Sequence, residues 1–308
     1  MAETHETRPM TEDDLPAVLA IDGAVGWRHD EDRFRYLLAA PDTRGVIVED
    51  SAAVGGFAFM GLREPIGWLG PVAVDPARAG RGLGTALVRE ADRFFREEER
   101  CDVALLEAYV DNRRAIDLYD RNGFVVTSIV ELFGTPEGAA PLVPPPAPDE
   151  AATGDDAAPW ITPLTEDDLP FLAALDDSYY GGWREDDLLY WLGAGLDRAR
   201  LLRRGDEPVG YCLVENATGR LGPAAAATLP DFLALLDAIL PTMPHGAGAP
   251  IHAVNLRLVD PTPAAVAALA ARGLVLVPAR RNVHMEKVYR RPTRRMAGVY
   301  VSARPEKG

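Results

Sequence analysis

The sequence predicts a mixed α/β protein of two related domains, each built on a mixed, mostly antiparallel central sheet flanked by helices. Its 308 residues correspond to about two domains, and the 47% hydrophobic content is ample for two cores. In the first half, short apolar runs of strand length alternate with segments of helical periodicity. A segment at 8–16 also recurs at 162–170 with most of its residues identical, which indicates an internal repeat.

The elements of the first half follow from hydrophobic periodicity, caps and turn residues. Thr11 is a plausible helix N-cap, Leu83, Leu87 and Ala91 repeat at helical spacing, and Asn122-Gly123 ends a helix. Three apolar runs in hairpin succession predict antiparallel pairing. The predicted elements are strands at 6–10, 45–49, 54–62, 66–74, 103–110 and 124–131, and helices at 13–23, 31–40, 82–99 and 113–121.

The domain division follows from composition and from the repeat. Residues 135–160 are rich in Pro, Ala and acidic residues and have no periodicity, which is typical of a semi-stiff disordered linker. The tripeptide at 69–71, Leu-Gly-Pro, recurs at 221–223. We therefore predict one domain at 1–134 and a related domain, with a basic tail, at 161–308.

Charge and cysteine content limit the partners and the compartment. The formal net charge is −15, and most of the acidity lies in the first half. Such a chain disfavours nucleic acid and anionic membranes and attracts cationic small molecules, including amines. No apolar run reaches membrane-spanning length, so we expect a cytoplasmic protein with no signal peptide and no transmembrane helix. Cys101 and Cys212, one in each half, predict ordinary buried thiols and no disulfide framework.

A glycine-rich turn carries the strongest chemical signal in the sequence. Gly80, Gly82 and Gly84 remove side chains from alternate positions just before an apolar helix. Backbone N–H groups there can approach a bulky anion, to which the helix start offers unpaired N–H groups and its positive dipole end. A pyrophosphate fits this chemistry. The spacing matches neither a dinucleotide-binding fingerprint nor a P-loop.

Two stretches resemble signatures of the GNAT superfamily of N-acetyltransferases. Val74 to Gly84 resembles the acyl-coenzyme A loop, V-x-P-x-x-[QR]-G-x-G-x-[GA], with Ala79 in place of the usual Gln or Arg. Asn112 to Phe124 resembles N-x-x-A-x-x-L-Y-x-x-x-G-F. The resemblance implies a GNAT fold that binds acetyl-CoA as cosubstrate without a metal. The coenzyme contacts that it implies are Val72, Val74, Arg78, Ala79, Gly80, Arg81, Gly82, Leu83, Gly84, Thr85, Asn112 and Ala115.

Acetyl transfer to an amine requires a base, because an alkylamine of pKa about 10.4 is neutral only about once in a thousand molecules at pH 7. The candidates are Glu64, Glu107 and Asp111. The strand of Glu107 resembles that of ribosomal-protein alanine acetyltransferases, and this resemblance implies Glu107 as the base and Tyr119 as the acid. A strong hydrogen bond from Tyr119 to the developing thiolate is the safer description of the second role. The alternative for Glu107 is a strand residue that faces water.

The remaining parts of such a site are an oxyanion donor and contacts to the acceptor. A backbone N–H near Val72, preorganised by a bulge at Gly70-Pro71, would meet the oxyanion. The family resemblance puts the acceptor near the first two helices, where aromatic and acidic residues suit a cationic amine. The candidate contacts are Trp27, His29, Tyr36, Glu64 and Trp68.

The second half keeps the pattern of the fold without the residues of the site. No run of alternate glycines like that at 80–84 follows the repeated tripeptide at 221–223. Aligning the glycines that end the two equivalent helices puts Leu269 opposite Tyr119 and Thr262 opposite Asn112. This half is therefore interpreted as a degenerate GNAT-like domain.

Three features of the second half carry no chemistry in this interpretation. His252 and His284 are interpreted as isolated structural residues. The basic tail at 290–304 either docks on the acidic first domain or is a solvated end.

The sequence thus predicts a tandem protein that acetylates a primary amine, above all of a small molecule, by direct transfer in a ternary complex. The alternatives are acetylation of a protein N-terminus or lysine, and a non-catalytic acyl-CoA sensor. The chain would be a monomer or a homodimer. Because there is one glycine-rich loop, we predict one coenzyme per chain.

Overall fold

The computed structural model describes residues 5–27, 29–98, 100–135, 160–180, 188, 199–215, 220–242, 255–278, 281–291 and 299–301. Contacts divide the chain into two compact units. Unit 1 contains the described residues up to Thr127 together with 283–291, and unit 2 contains those from Ser128 to Asn282 together with 299–301.

In the first half, the described strands and helices follow the predicted order. In the first half they are β1 (Thr7–Pro9), α1 (Leu15–Ala24), α2 (Glu31–Ala39), β2 (Thr43–Asp50), β3 (Ala53–Arg63), β4 (Ile66–Val74), α3 (Leu83–Glu97), β5 (Val103–Tyr109), α4 (Arg113–Arg121) and β6 (Val125–Gly134). In the second half they are β7 (Trp160–Pro163), α5 (Leu169–Tyr180), β8 (Arg200–Arg204), β9 (Glu207–Glu215), β10 (Arg220–Ala226), α6 (Leu229–Ile239), β11 (Asn255–Val259), α7 (Pro263–Ala271), β12 (Val275–Leu276), β13 (Asn282–Val288) and β14 (Val299–Val301). None of the helices in the described ranges is both long and apolar enough to cross a membrane.

The sheet of unit 1 is mostly antiparallel. β1 pairs with β2, β2 with β3 and β3 with β4, all antiparallel, and β4 then pairs in parallel with β5. The amphipathic helix α3 packs on this sheet and buries Leu83, Leu87, Val88, Ala91 and Phe95. The helical spacing of the apolar residues in this segment is therefore confirmed.

β4 departs from its neighbours at one point. Leu69 pairs with Met60 and Val72 with Ala58, so Gly70 and Pro71 both lie opposite a single residue of β3. This is the bulge that the sequence predicted at these two residues. The parallel pairing with β5 ends at Trp68. Beyond that residue, no described strand pairs with β4 on this side, and a gap opens between β4 and β5.

Unit 2 has the same kind of sheet. β7, β8, β9 and β10 pair antiparallel in succession, and the register of β10 shifts at Gly222 and Pro223. β10 and β11 share one parallel pairing, Arg220 with Asn255. Where these two strands separate, β14 pairs antiparallel with β10, and its Val301 also pairs with Leu258 of β11. The C-terminal strand thus fills the gap that is open in unit 1.

Each unit includes the final strand of the other half of the chain. Residues 283–288 of β13 belong to unit 1, where β13 lies next to β5. Residues 130–134 of β6 belong to unit 2 and pair with β11. These units differ from the consecutive domains predicted at 1–134 and 161–308, because strand pairing at a sheet edge joins residues that are far apart in sequence.

Several smaller expectations can be compared with these units. Most of the predicted linker, residues 136–159, lies outside the described residues, and Trp160 already begins β7. Cys101 and Cys212 are free and buried, as predicted. Burial raises the pKa of Cys101 to about 11 and that of Cys212 to about 12.

Candidate active site

The glycine-rich loop ends at an open helix N-terminus in unit 1. Gly80 and Gly82 have φ values of 91° and 93°, in the left-handed region that favours glycine. Gly82 is the N-cap of α3, and no side chain caps the helix there. The N–H groups of Leu83, Gly84 and Thr85 consequently lack the acceptors that a longer helix or a capping side chain would give. They form, with the helix dipole, a site suited to an anion.

Arg78 and Arg81 fasten this loop instead of lining the cleft beside it. The Arg78 side chain pairs with Asp75 and Asp50 at 3.3 Å, and Arg81 pairs with Asp50 at 2.7 Å. The ring of His5 also bonds the carbonyl oxygen of Arg81 at 2.7 Å. Both arginines were predicted to contact the coenzyme, and the structure gives them an anchoring role on β2.

The two helices that flank the site are held close together. A Cβ atom at Gly84 would lie 3.1 Å from the side chain of Leu118, so a larger residue would separate α3 from α4. Asn112 is the N-cap of α4, and its side chain accepts a hydrogen bond from the N–H of Ala115 at 3.1 Å. The capping role predicted for Asn112 is confirmed.

A cleft of about 1110 Å³ runs along this region of unit 1. It reaches from the loop and the start of α3, past β4 and α4, to the end of α1. The predicted residues that line it are Trp27, Val72, Val74, Ala79, Gly80, Gly82, Leu83, Gly84, Thr85, Asn112, Ala115 and Tyr119. The exposed edge of β4 beyond its bulge therefore faces the same space as the open helix N-terminus.

Tyr119 lies on α4 with its ring against Phe124, at 6.1 Å between ring centroids. The residue is buried but lines the cleft. Its hydroxyl makes no hydrogen bond within the part of the chain that the structure describes. Burial raises the pKa of Tyr119. The phenol therefore keeps its proton at neutral pH and remains available as a donor.

Glu107 lies on β5 and is paired with a histidine from the far end of the sequence. The carboxylate oxygen Oε1 is 2.6 Å from Nε2 of His284 on β13. The two side chains are 8% and 12% exposed. The alternative that Glu107 faces water is therefore wrong, and so is the interpretation of His284 as isolated. His252 lies outside the described residues.

One of the five predicted acceptor contacts, Trp27, lines the cleft. His29 is bound by the buried carboxylate of Asp22, which contacts its Nδ1 at 2.6 Å and accepts from its backbone N–H at 2.8 Å. Tyr36 packs against the core beneath α1 and α2. Glu64 forms an ion pair with Arg100 on the surface.

Trp68, the fifth of these candidates, is 1% exposed and belongs to the core. Gly61 makes this possible, because a Cβ atom there would lie 2.5 Å from the indole nitrogen. The four candidates other than Trp27 thus have no place in the lining of the cleft.

Sequence reasoning missed several residues that line the cleft. Three arginines, Arg89 on α3 and Arg114 and Arg121 on α4, lie along its wall, and Tyr109 lies at the end of β5. Asp111, which the sequence offered as a candidate base, also lines the cleft. The arginines carry the positive charge that a phosphorylated ligand requires. These arginines lie on the helices that follow the glycine loop and Asn112, and this position could have indicated a role in binding. The many other arginines in the chain made them hard to distinguish.

Comparison with known proteins gives the family of this region. Residues 9–124, a little over a third of the chain, match the model of the Acetyltransferase (GNAT) family. No curated protein sequence matches the chain significantly.

Solved structures share the fold over nearly the whole chain. A protein from Pyrococcus horikoshii described as a candidate acetyltransferase has a TM-score of 0.71 at 17% identity, with 99% of this chain and 96% of that chain covered. A GCN5-related N-acetyltransferase from Sphaerobacter thermophilus has a TM-score of 0.63 at 15% identity, with 96% and 98% covered. At these identities the likeness concerns the fold alone.

The family match defines the class of this part of the chain. Residues 9–124 form a GNAT acetyltransferase domain, an acyltransferase domain. GNAT acetyltransferases use acetyl-CoA as the acyl donor.

Proposed function

We propose that unit 1 transfers an acetyl group from acetyl-CoA to a primary amine of a small, cationic molecule, directly and within a ternary complex. The observation that carries this proposal is that one cleft joins an open helix N-terminus, three arginines and a buried tyrosine.

The cleft fits the anionic part of coenzyme A. The unpaired N–H groups at the start of α3 suit a pyrophosphate, and no side chain competes for them. Arg89, Arg114 and Arg121 supply positive charge along the same wall. From Leu69 to Val74, the edge of β4 that faces away from β3 has no described strand beside it, and it offers backbone N–H and C=O groups to the amide-containing arm of the coenzyme.

When bound, acetyl-CoA supplies an activated thioester, which an amine can attack without a covalent enzyme intermediate. Among the residues of the chain, the backbone N–H groups near Val72 stabilise negative charge on the carbonyl oxygen. Tyr119, which is neutral because it is buried, donates a hydrogen bond to the departing sulfur. Glu107 receives the proton that the substrate ammonium must lose before it can react.

The acceptor end of the cleft favours a cation. Trp27 and Tyr109 offer aromatic faces and Asp111 offers a carboxylate within the same lining. An ammonium group interacts favourably with both kinds of group. The net charge of −15 would also draw a cationic molecule towards the protein.

We also propose that the second half is a GNAT-like domain that has lost its site. Gly123 and Gly273 end α4 and α7 with the same pattern of backbone hydrogen bonds, and these two helices begin at the N-caps Asn112 and Thr262. These equivalent positions support a duplicated fold.

The features that would bind a coenzyme differ in unit 2. Thr228 caps α6, and its hydroxyl accepts a hydrogen bond from the N–H of Asp231 at 3.3 Å. The Asp231 carboxylate, which also pairs with Arg204 at 2.6 Å, lies in the first turn of α6. A negative charge at this position repels a phosphate. β14 also occupies the space between β10 and β11, which supports one coenzyme per chain.

A transfer assay with labelled acetyl-CoA tests the proposed function. The acceptors are a panel of small primary amines, including polyamines and amino sugars, and a matched set of short peptides with free N-termini or lysines. Label in the small amines is expected, with free thiol formed in equal amount. Label in peptides alone would overturn the small-molecule acceptor. Binding of acetyl-CoA without transfer to either set would overturn catalysis and favour an acyl-CoA sensor.

A further inference from the structure

We propose that His284 is a positioning residue for Glu107, so that the last part of the chain completes the site of the first domain. This inference rests on the proposed function, since it assigns a role in the same transfer reaction. It adds that a residue from the second half of the sequence, His284, positions the proposed base of the first domain.

The distance between the two side chains defines their interaction. His284 Nε2 and Glu107 Oε1 are 2.6 Å apart, and both side chains are largely buried. An ionised carboxylate can only accept hydrogen bonds, so Nε2 carries the proton and donates it. A hydrogen bond to a charged group is about twice as strong as one between neutral groups.

Other contacts hold β13 in unit 1 and fix the position of His284. Lys287 donates from Nζ to the carbonyl oxygen of Asn122 at 2.7 Å. The hydroxyl of Tyr289 donates to Asp92 at 2.8 Å, and Arg290 donates to the carbonyl oxygen of Cys101 at 2.6 Å. The basic tail was predicted either to dock on the first domain or to be a solvated end. Its first residue, Arg290, docks on the first domain.

Glu107 does not itself line the cleft, but it lies on the same face of β5 as a residue that does. Side chains alternate along a strand, so Glu107 and Tyr109 share one face. Leu106 and Ala108 point the other way, into the core beneath α3. Tyr109 lines the cleft, and Glu107 is therefore one strand step behind a cleft residue.

The hydrogen bond from His284 has two effects on Glu107. A carboxylate that is removed from water tends to become protonated, and a proton donor beside it favours the charged form. The bond also holds the bonded oxygen, Oε1, in place.

Other ionisable groups lie on the strands around this pair. Glu286 shares a face of β13 with His284, and its carboxylate accepts a hydrogen bond from Thr127 at 3.0 Å. Tyr109 ends β5, Asp111 follows it, and β4 has no ionisable side chain.

Two substitutions at one position separate positioning from mere packing. In His284→Gln, the amide N–H can reach the place of Nε2–H but cannot titrate. His284→Leu fills a similar volume without a donor. We expect kcat of the Gln variant to stay within about threefold of wild type, and that of the Leu variant to fall about 10- to 100-fold. The KM for acetyl-CoA should change less than about twofold in both.

Glu286→Gln is the matched control, because it lies two residues away on the same strand and keeps an acceptor for Thr127. Its kcat should equal that of wild type. Equal losses in the Gln and Leu variants would overturn the positioning role, and so would a Leu variant with wild-type kcat.

A measurement without turnover tests the pair itself. Nitrogen-15 NMR of the full chain should show the Nε2–H tautomer of His284 with a downfield, slowly exchanging proton that is lost in Glu107→Leu. Its absence in an active enzyme would overturn the pairing while leaving the proposed function intact. Its presence in a wild-type protein that transfers no acetyl group would overturn the proposed function, and with it the catalytic role of His284.

Discussion

Replacing Tyr119 with Phe removes one oxygen atom from the lining of the cleft. The ring packs on Phe124 at 6.1 Å, and the hydroxyl bonds none of the described residues. The substitution should therefore change the free energy of unfolding by less than about 0.5 kcal/mol. A hydrogen bond to a charged group contributes about 1.5–3 kcal/mol, so loss of the bond to the thiolate should lower kcat about 10- to 150-fold.

The raised pKa of Tyr119 adds a pH signature to this prediction. Because burial favours the neutral phenol, Tyr119 keeps its proton throughout the neutral and mildly alkaline range. The ratio of wild-type to Phe-variant kcat should accordingly be constant between about pH 6 and pH 9.

Release of the coenzyme thiol gives the rate, followed with a thiol-reactive chromophore. Cys101 and Cys212 should contribute little background, since both are buried and their thiol pKa values are raised. Calorimetry gives the Kd of acetyl-CoA, which should agree between wild type and Tyr119→Phe. A kcat within twofold of wild type would refute the donor role. An unchanged kcat with a tenfold weaker Kd would instead make Tyr119 a binding residue.

Three further predictions concern the loop, the fold and the stoichiometry. Gly82→Ala forces a φ of 93° on a residue with a Cβ atom, at a cost of about 1–2 kcal/mol, and should weaken acetyl-CoA binding about tenfold. The control is Gly23→Ala, which has open space around its Cβ position and should bind acetyl-CoA as wild type does. Asp14→Asn should lower the free energy of unfolding by about 1–2 kcal/mol at pH 7 in denaturant titrations. The Arg8 guanidinium holds the pKa of Asp14 near 2, below its ordinary value. The ionised carboxylate therefore stabilises the fold above about pH 4, and this stabilisation is lost as the pH falls through 2. Below that pH, wild type and Asp14→Asn should have the same free energy of unfolding. Calorimetry of the wild type should find one acetyl-CoA per chain, and two would contradict the loss of the second site.

Local signals in the sequence were enough for much of the fold. The helix predicted at 113–121 is observed at the same residues, because its N-cap Asn112 and the terminating Gly123 lie within a few residues of its ends. The bulge at Gly70 and Pro71 was likewise visible, since glycine and proline disturb the register of a strand directly.

Residues whose role depends on distant partners could not be predicted in this way. Glu107 and His284 are 177 positions apart, and no pattern near either one indicates the other. Trp68 looked like an acceptor contact because an aromatic residue on a strand has the same sequence signature on either face. Its burial depends on Gly61, which lies on the paired strand β3.

The exchanged final strands affect how the protein is made. Domains commonly fold during synthesis, from the N-terminus, at about 5–20 residues per second. The strand that carries His284 begins about 156 residues after Thr127, so the ribosome needs roughly 8–30 s more to deliver it. During that interval, the edge of β5 that faces away from β4 lacks β13, and the proposed base Glu107 lacks His284. A chain that ends before β13 would therefore have its glycine loop and its tyrosine but no positioned base.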